Sequence, residues 1–488
     1  MVDLRRRVAI GAAWMVAMRA VVNGLGIVST LFLARLLTPE DFGIVALAGS
    51  AYAFFSVLGQ FGFDSALIHR SNPSAEHYNS AWTANILVAV AISLATGLVA
   101  KPASSFFNEP RIENVVYAFA LLSLVKGFEN VGVVNFRKSL NFRGDFLYFV
   151  IPKVFMVLVA VSAAYLLRNY WALVIGMVTS QVITLVYSHF SQPLRPRFSL
   201  TKFWELMEFS RWVVASSFIR YLSSNGTDVI VGRLLQPAAV GSLSIAKQIG
   251  LLPSQELLAP VNRALFPGLA EVAHDPVRIR LILGKVIGAT SSISIPASTG
   301  LFVLAYPLVD VFLGSAWTEV SPLLAAFALI GLVSALRSAF HPTLLARGKP
   351  RTLTVSGAVS AVTTLGLVIA ITPVVGVMGV PYAMLAGSFV STFIVLGAVK
   401  QDIGFSPIDL TRCTWRPVLA ALGMAAIVTH AKDVFASSWG LGLASVLGLC
   451  LVGVLSYVAL LGSVWVAAGS PEGPEQMCLD TIRKRVFS

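Results

Sequence analysis

Charge is scarce in this chain. Asp, Glu, Lys and Arg together make up 12% of 488 residues, about half the share of a soluble globular protein. Acid is the scarcer sign, with 23 Asp and Glu against 36 Lys and Arg. Cysteine is nearly missing. Cys413, Cys450 and Cys478 are the three present, and none falls in a predicted external loop, which removes a disulfide framework from consideration. The six histidines do not cluster with carboxylates. No metal-ligand spacing, glycine-rich phosphate loop or nucleophile motif appears. The expectation is a protein that is not an enzyme and holds no cofactor or metal. An ion gradient or the substrate gradient would drive it, rather than ATP hydrolysed by this chain. Long polar stretches are also lacking, so no separate soluble domain has room.

What the chain has in abundance is apolar sequence. Hydrophobic residues reach 56% and the mean hydropathy is +0.80. Runs of about twenty apolar residues, each able to cross about 30 Å of hydrocarbon, recur from end to end. They predict an all-α polytopic membrane protein of about fourteen spans, at 8–31, 43–67, 80–100, 114–134, 146–166, 170–189, 208–230, 240–262, 281–304, 320–343, 353–371, 376–398, 417–432 and 439–465. A twelve-span reading is the alternative. With the N-terminus in the cytoplasm, 22 Lys and Arg fall at cytoplasmic ends and loops and 6 on the opposite side, the bias expected of an inner-membrane protein. Both termini are then cytoplasmic. The apolar run behind the basic start is too long for a cleaved signal and reads as a retained first span. The positive charge is spread over many short loops on one side. That distribution suits anionic membrane lipids, and without a basic patch interleaved with aromatics no nucleic acid is expected as a partner.

A repeated word divides the chain. Residues 33–43 read LARLLTPEDFG and residues 231–241 read VGRLLQPAAVG. Each sits between two long apolar segments, the pattern of transporters built from two related halves. An offset of six spans is even, so both halves enter the membrane from the same side. The predicted architecture is two six-helix bundles in a parallel pseudo-twofold repeat plus two C-terminal helices. The boundaries are an N-terminal bundle at 1–190, a cytoplasmic linker with an amphipathic stretch at 191–207, a C-terminal bundle at 208–400, two additional helices at 401–466 and a cytoplasmic tail at 467–488. The turn residues Arg35, Pro39, Asp41, Phe42 and Gly43 shape the connection between the first two spans, with Arg35 placed to fold back on Asp41. Prolines 152, 253, 260 and 296 interrupt or bend their spans.

Eight cations lie inside the predicted spans: Arg19, Lys126, Lys153, Arg211, Arg220, Lys247, Lys285 and Arg337. The deep carboxylates are Glu129, Asp228 and Glu256. An isolated charge at mid-bilayer costs about 3 kcal/mol on insertion scales, so each must pair, snorkel or line a wet cavity. Arg211, Lys285 and Lys153 sit near span ends and can snorkel. Lys126 and Glu129 are three apart, and an ion pair on one helix face is the structural alternative to a cavity role. Arg19 and Arg220 lie near the midplane of spans 1 and 7. They either share a cavity across the pseudo-twofold axis or pair internally with carboxylates. Arg337 is a third candidate. Cations outnumber deep anions, which favours an anionic substrate such as a phosphate or acidic sugar. Tyr52, Trp82, Tyr148, Trp212 and Tyr221 are placed either to stack on sugar rings or to anchor the interface.

The segment ARLLTPEDFGIVALAGSAYAFFSVLGQFGFDSALIHR at 34–70 resembles the opening of polysaccharide flippases of the Wzx type. So do NFRKSLNFRGDF at 135–146, PSQELLAPVNRALFPGLAEV at 253–272 and FLGSAWTEVSPLLAAFALIGLVSAL at 312–336. The likeness is to the branch serving capsular, exopolysaccharide and lipopolysaccharide export, in one superfamily with the lipid II flippases and the multidrug and toxin extruders. The resemblance implies translocation of an undecaprenyl-pyrophosphate-linked oligosaccharide across a bacterial inner membrane, with the polysaccharide polymerase and chain-length machinery as further partners. It also implies that Arg19 meets the pyrophosphate. On this reading Arg19, Arg220, Arg337 and Lys126 bind substrate, and Glu129, Asp228 and Glu256 serve coupling or pairing. Two alternatives stand beside it: an ion-coupled exporter of small amphiphilic compounds, marked by cavity carboxylates such as Asp64, and a non-transporting scaffold for a polysaccharide synthase.

Overall fold

A computed structural model describes residues 2–59, 61–70, 72–139, 141–207, 226–256, 265, 269, 271–438, 442–470 and 476. Among these residues the secondary structure is helical throughout, with no strand. Ten segments are long and apolar enough to cross a membrane, or eleven if one bent pair is a single span. One of the ten, Pro350–Ile403, is itself two helices, Pro350–Val375 and Gly379–Ile403, packed on each other. Most of predicted span 7 and part of span 8 lie outside the described residues. The chain divides into two compact units, Met1–Gly241 and Ser242–Ser488.

Why helices and nothing else follows from the solvent. Hydrocarbon offers no partner to a backbone N–H or C=O, so a crossing segment must satisfy these groups within itself. Outward faces then carry apolar side chains that a soluble protein would bury. Leu98, Phe393 and Val374 are 79%, 73% and 85% exposed, and the helix Leu443–Ala467 turns Leu451, Val454, Leu455 and Val458 outward.

The first unit contains α1 (Val2–Leu36), α2 (Pro39–Leu58), α3 (Phe63–His69), α4 (Ala75–Phe107), α5 (Arg111–Gly127), α6 (Val134–Lys138), α7 (Phe142–Leu167) and α8 (Trp171–Ser191). Helix α1 packs on α7, α7 on α8, α4 on α5, and α2 on both α4 and α5. The repeated word starts α2 through a capping box. Asp41 Oδ2 accepts from the Thr38 backbone N–H at 2.9 Å, and the Asp41 N–H donates to Thr38 Oγ1 at 3.3 Å. Pro39 takes the first helical position, where no N–H is needed. Asp41 is thereby engaged by Thr38, not by Arg35 as the sequence suggested. A capping residue three positions away needs no long side chain to fold back. At the same end of the unit Arg111 joins Glu40 and Glu109, and the guanidinium holds the Glu109 carboxyl below the usual carboxylate range.

Residues 192–202 have no regular structure, and a helical turn follows at 203–207. This stretch lies along the start of α4, which caps its backbone with side chains. The Arg197, Ser199 and Lys202 N–H groups donate to Asn79 Oδ1, Thr83 Oγ1 and Ser80 Oγ at 2.9–3.0 Å. Leu206 is fully buried against Phe63, Leu67 and Trp82. Glu205 gathers Lys202, Arg70 and His77, and chiefly the Lys202 hydrogen bond holds its pKa down to about 2.

In the second unit, the helix Pro276–Val303 is central. It packs against Val320–Arg337 and Pro407–Ser438, and the latter carries Leu443–Ala467. One core joins Leu283, Ile287, Phe340, Val399 and Phe405; another joins Ile295, Met424, Leu449 and Tyr457. Pro152 and Pro296 sit inside continuous helices, so they do not interrupt their spans as expected.

The two copies of the word meet inside the first unit. A Cβ at Gly43 would stand 1.8 Å from the Pro237 carbonyl oxygen, and one at Gly241 would stand 1.9 Å from the Pro39 carbonyl oxygen. Each glycine lies four residues after its own proline, on the same face of its helix. Backbone thus touches backbone, reciprocally. Alanine at either position should lower stability by about 1–3 kcal/mol, the usual cost of forcing atoms into a filled contact. Gly43→Ala and Gly241→Ala together should cost less than the sum, because one forced separation makes room for both. Gly24→Ala and Gly97→Ala, with open space at the added carbon, should be neutral or slightly stabilising. Thermal unfolding in detergent checks all four.

Candidate functional site

Two helix breaks within the first unit open on one cavity of about 430 Å³. The first separates α2 from α3, where Gly62 takes φ 68°, a conformation that glycine adopts freely. The second separates α5 from the 3-10 turn Val131–Val133 and α6, with a 67° bend. Both breaks line the cavity, together with residues of α4 and Tyr148 of α7.

Asn130 builds the second break. It is fully buried. Its N–H donates to Ser188 Oγ at 2.9 Å, its Nδ2 donates to the Leu194 carbonyl at 2.8 Å, and its Oδ1 accepts from the Gly132 N–H at 2.8 Å. A side-chain amide thus replaces the helical bonds that the bend removes. Glu129, one residue earlier, is directed into the cavity. Its Oε2 accepts from the Tyr148 hydroxyl at 2.9 Å and its Oε1 from Gln181 Nε2. Lys126, in the last turn of α5, is exposed to the cavity. Arg137 lines it as well, bonded through Nε to Asp145 Oδ1 at 3.3 Å and lying 5.6 Å over the Phe149 ring. Asp64 opens α3 and is exposed there, with no hydrogen-bond or ion-pair partner among the described residues.

The site therefore offers two carboxylates and two cations on a frame of amides and hydroxyls. The signs of charge in this cavity are balanced. Lys126 and Glu129 do share the cavity, but not as a pair along one helix face. Helix α5 stops at Gly127, so the spacing of three does not act as a helical spacing, and both Glu129 oxygens are taken by Tyr148 and Gln181.

The other predicted residues lie elsewhere. Arg19 sits in α1, half-buried, with no hydrogen-bond or ion-pair partner among the described residues. Arg220, with Trp212 and Tyr221, falls outside the described residues. Arg337 ends the helix Val320–Arg337 in the second unit, where its Nη1 donates to Ser391 Oγ. Asp228 lies half-buried in the helical stretch 226–234 and has an interaction partner. Glu256 ends the short helix Leu252–Glu256, and its side chain is outside the described residues. Tyr52 and Tyr148 line the cavity, whereas Trp82 is core, its ring 5.0 Å from that of Phe198 and tilted at 49° to it. The sequence reading missed Asn130 and Gln181, and it counted Arg137 among the cytoplasmic cations without giving it a cavity role. The KGFEN string at 126–130, polar and glycine-bearing inside an apolar run, was the available signal of a break.

Residues 32–322 match the model of the family described as polysaccharide biosynthesis protein. This is a polytopic helical membrane protein, and it belongs to that family. The family match confirms the Wzx-type resemblance. The chain is 27% identical over 465 residues to the succinoglycan biosynthesis transport protein ExoT of Rhizobium meliloti (strain 1021), covering 92% of this chain and 91% of that one. It is 24% identical over 355 residues to the lipopolysaccharide biosynthesis protein WzxC of Escherichia coli (strain K12), covering 71% of each. The fold is similar to that of the lipid II flippase MurJ, in a structure of that protein described as inward closed, with a TM-score of 0.76 at 14% identity over 93% of this chain and 98% of that one.

If Tyr148 and Gln181 hold the Glu129 carboxylate, Tyr148→Phe with Gln181→Leu leaves a partly buried acid without donors. Loss of such hydrogen bonds to a charged group costs about 1.5–3 kcal/mol each. The double variant should lose thermal stability. Adding Glu129→Gln should restore part of it, because no charge then remains to be solvated. Unfolding midpoints of the purified variants check both statements.

Proposed function

We propose that this protein translocates an undecaprenyl-pyrophosphate-linked oligosaccharide repeat unit from the cytoplasmic to the periplasmic leaflet of a bacterial inner membrane. One observation carries the reading: a charged, hydroxyl-lined cavity entered by two helix breaks, in a membrane protein of a polysaccharide biosynthesis family. A sugar headgroup needs such a lining to leave water, and its polyprenyl tail can stay in lipid. Movement is by alternating access of two six-helix bundles, 1–190 and 208–400, with 191–207 as cytoplasmic linker, 401–466 as additional helices and both termini cytoplasmic. No covalent bond changes. The loop charge bias and the repeated word support this layout. The names of the relatives support the substrate class, since they serve succinoglycan and lipopolysaccharide biosynthesis.

Arg19, Arg220, Arg337 and Lys126 are the proposed contacts for pyrophosphate and sugar. Glu129, Asp228 and Glu256 are the proposed coupling or pairing groups. Arg19→Gln and Lys126→Gln should each reduce polysaccharide export at least about tenfold, equivalent to about 1.4 kcal/mol of lost interaction, with normal protein abundance. Arg19→Lys should keep part of the activity, because it retains the charge and loses the fork. Complementation of a flippase-deficient strain, with abundance measured alongside, is the test. Normal export from Arg19→Gln would remove that residue from the site. Loss of protein rather than of export would assign it to folding.

Asp64 and Glu129 in one cavity favour a second reading, an ion-coupled exporter of small amphiphilic cations. It predicts broad drug resistance on overexpression in a strain lacking its own pumps, an outcome the flippase reading does not produce.

A further inference from the structure

The second unit holds a separate basic cavity of about 420 Å³ between the helices Pro276–Val303 and Pro407–Ser438. Four cations line it. Arg280 and Lys285 come from the first helix, and Arg412 and Arg416 from the second. Arg416 is only 8% exposed. One acid faces them. Asp409 binds Arg280 through both oxygens at 2.8 Å and also closes the capping box with Ser406, whose N–H donates to Asp409 Oδ2 at 2.7 Å. Asp409 is thus fully engaged. Among the described residues neither Lys285 nor Arg412 has an ion-pair partner. The net charge of the cavity wall is positive.

Its depth follows from helix length. The two helices have 28 and 32 residues, about 42 and 48 Å at 1.5 Å per residue, against about 30 Å of hydrocarbon. For helices centred in the hydrocarbon the overhang at this end is about 6 and 9 Å, which brings Arg280 and Arg412 to headgroup level and leaves Lys285 and Arg416 about one turn deeper, within snorkelling reach of it. Both helices begin at this end, and their positive dipole ends add to the field. The rest of the wall is apolar: Val277, Leu281 and Phe405. At Gly284 the helices come close enough that an added Cβ would lie 3.4 Å from Cys413 Sγ.

We infer that this cavity binds the phosphate of an anionic phospholipid, with the acyl chains resting on the apolar wall. Lys285 and Arg412, without an ion-pair partner among the described residues and able to reach headgroup depth by snorkelling, fit a phosphate anion. Arginine supplies forked donors to its oxygens, and the adjoining apolar surface distinguishes a lipid from a free anion. The position, in the second unit and on residues that the proposed transport site does not use, makes the lipid a bound component of the fold rather than cargo.

The test uses the full chain in detergent, with phosphatidylglycerol as probe and bound lipid counted by native mass spectrometry. Each cation near a headgroup strengthens binding about fivefold. Lys285→Gln with Arg412→Gln, both exposed side chains, should therefore weaken phosphatidylglycerol binding about 25-fold. The same pair of changes at Arg351 and Lys400, exposed cations of this unit outside the cavity, should alter it less than about twofold. Should the double variant fail to fold, the single variants should each show about a fivefold loss, and Arg412→Lys almost none. Unchanged binding in the cavity variants, or equal loss in the Arg351 and Lys400 control, would overturn the site. Equal binding of phosphatidylcholine would show that the acyl chains alone hold the lipid. Displacement by millimolar inorganic phosphate would make the ligand a free anion. Either result would contradict the inference.

Discussion

A backbone amide in hydrocarbon must find its partner within the protein, and this constraint organises the structure. It makes every crossing element a helix. It also dictates where helices are allowed to stop. Helix α2 breaks around Gly59–Gly62 and α5 breaks around Gly127–Val131, and both interruptions face the same polar cavity. Irregular backbone at membrane depth is tolerated where it is enclosed by protein or wetted by a cavity. The breaks and the cavity are therefore one feature. Asn130 supplies the missing hydrogen bonds, which leaves Glu129 and Lys126 to point inward. The charges that are costly inside an apolar run stand on the wall of this polar cavity.

The repeated word serves a different end. Its proline starts each helix, and its glycine lets one helix start rest on the other copy's backbone. This explains why proline and glycine persist at a spacing of four in both copies while the acidic residues of the first copy are replaced by alanines in the second. Only the first copy needs Asp41 to close a capping box with Thr38. The second copy has Gln236 in the place of Thr38.

Much of this was legible in the sequence because membrane helices are written in long apolar runs, and because the family resemblance rests on contiguous words. The helical membrane fold and the family were readable on those grounds. The cavity was only half readable. Its charges stood out against an apolar background, but their geometry did not. The spacing of Lys126 and Glu129 suggests a helical pair, and nothing in two residue names reveals that the helix ends between them. Gln181 and Asn130 were invisible for another reason. An uncharged amide in a span attracts little notice, and its role comes from partners 52 and 64 residues away in the chain.

The central claim is that a lipid-linked sugar headgroup crosses the bilayer through this protein. The most direct measurement reconstitutes the purified chain in liposomes carrying a fluorescent undecaprenyl-pyrophosphate-linked oligosaccharide. A membrane-impermeant quencher then reports how much headgroup faces outward over time. The account predicts transbilayer movement well above that of protein-free liposomes, and near background with the Lys126→Gln variant. Equal movement with and without the protein would contradict it.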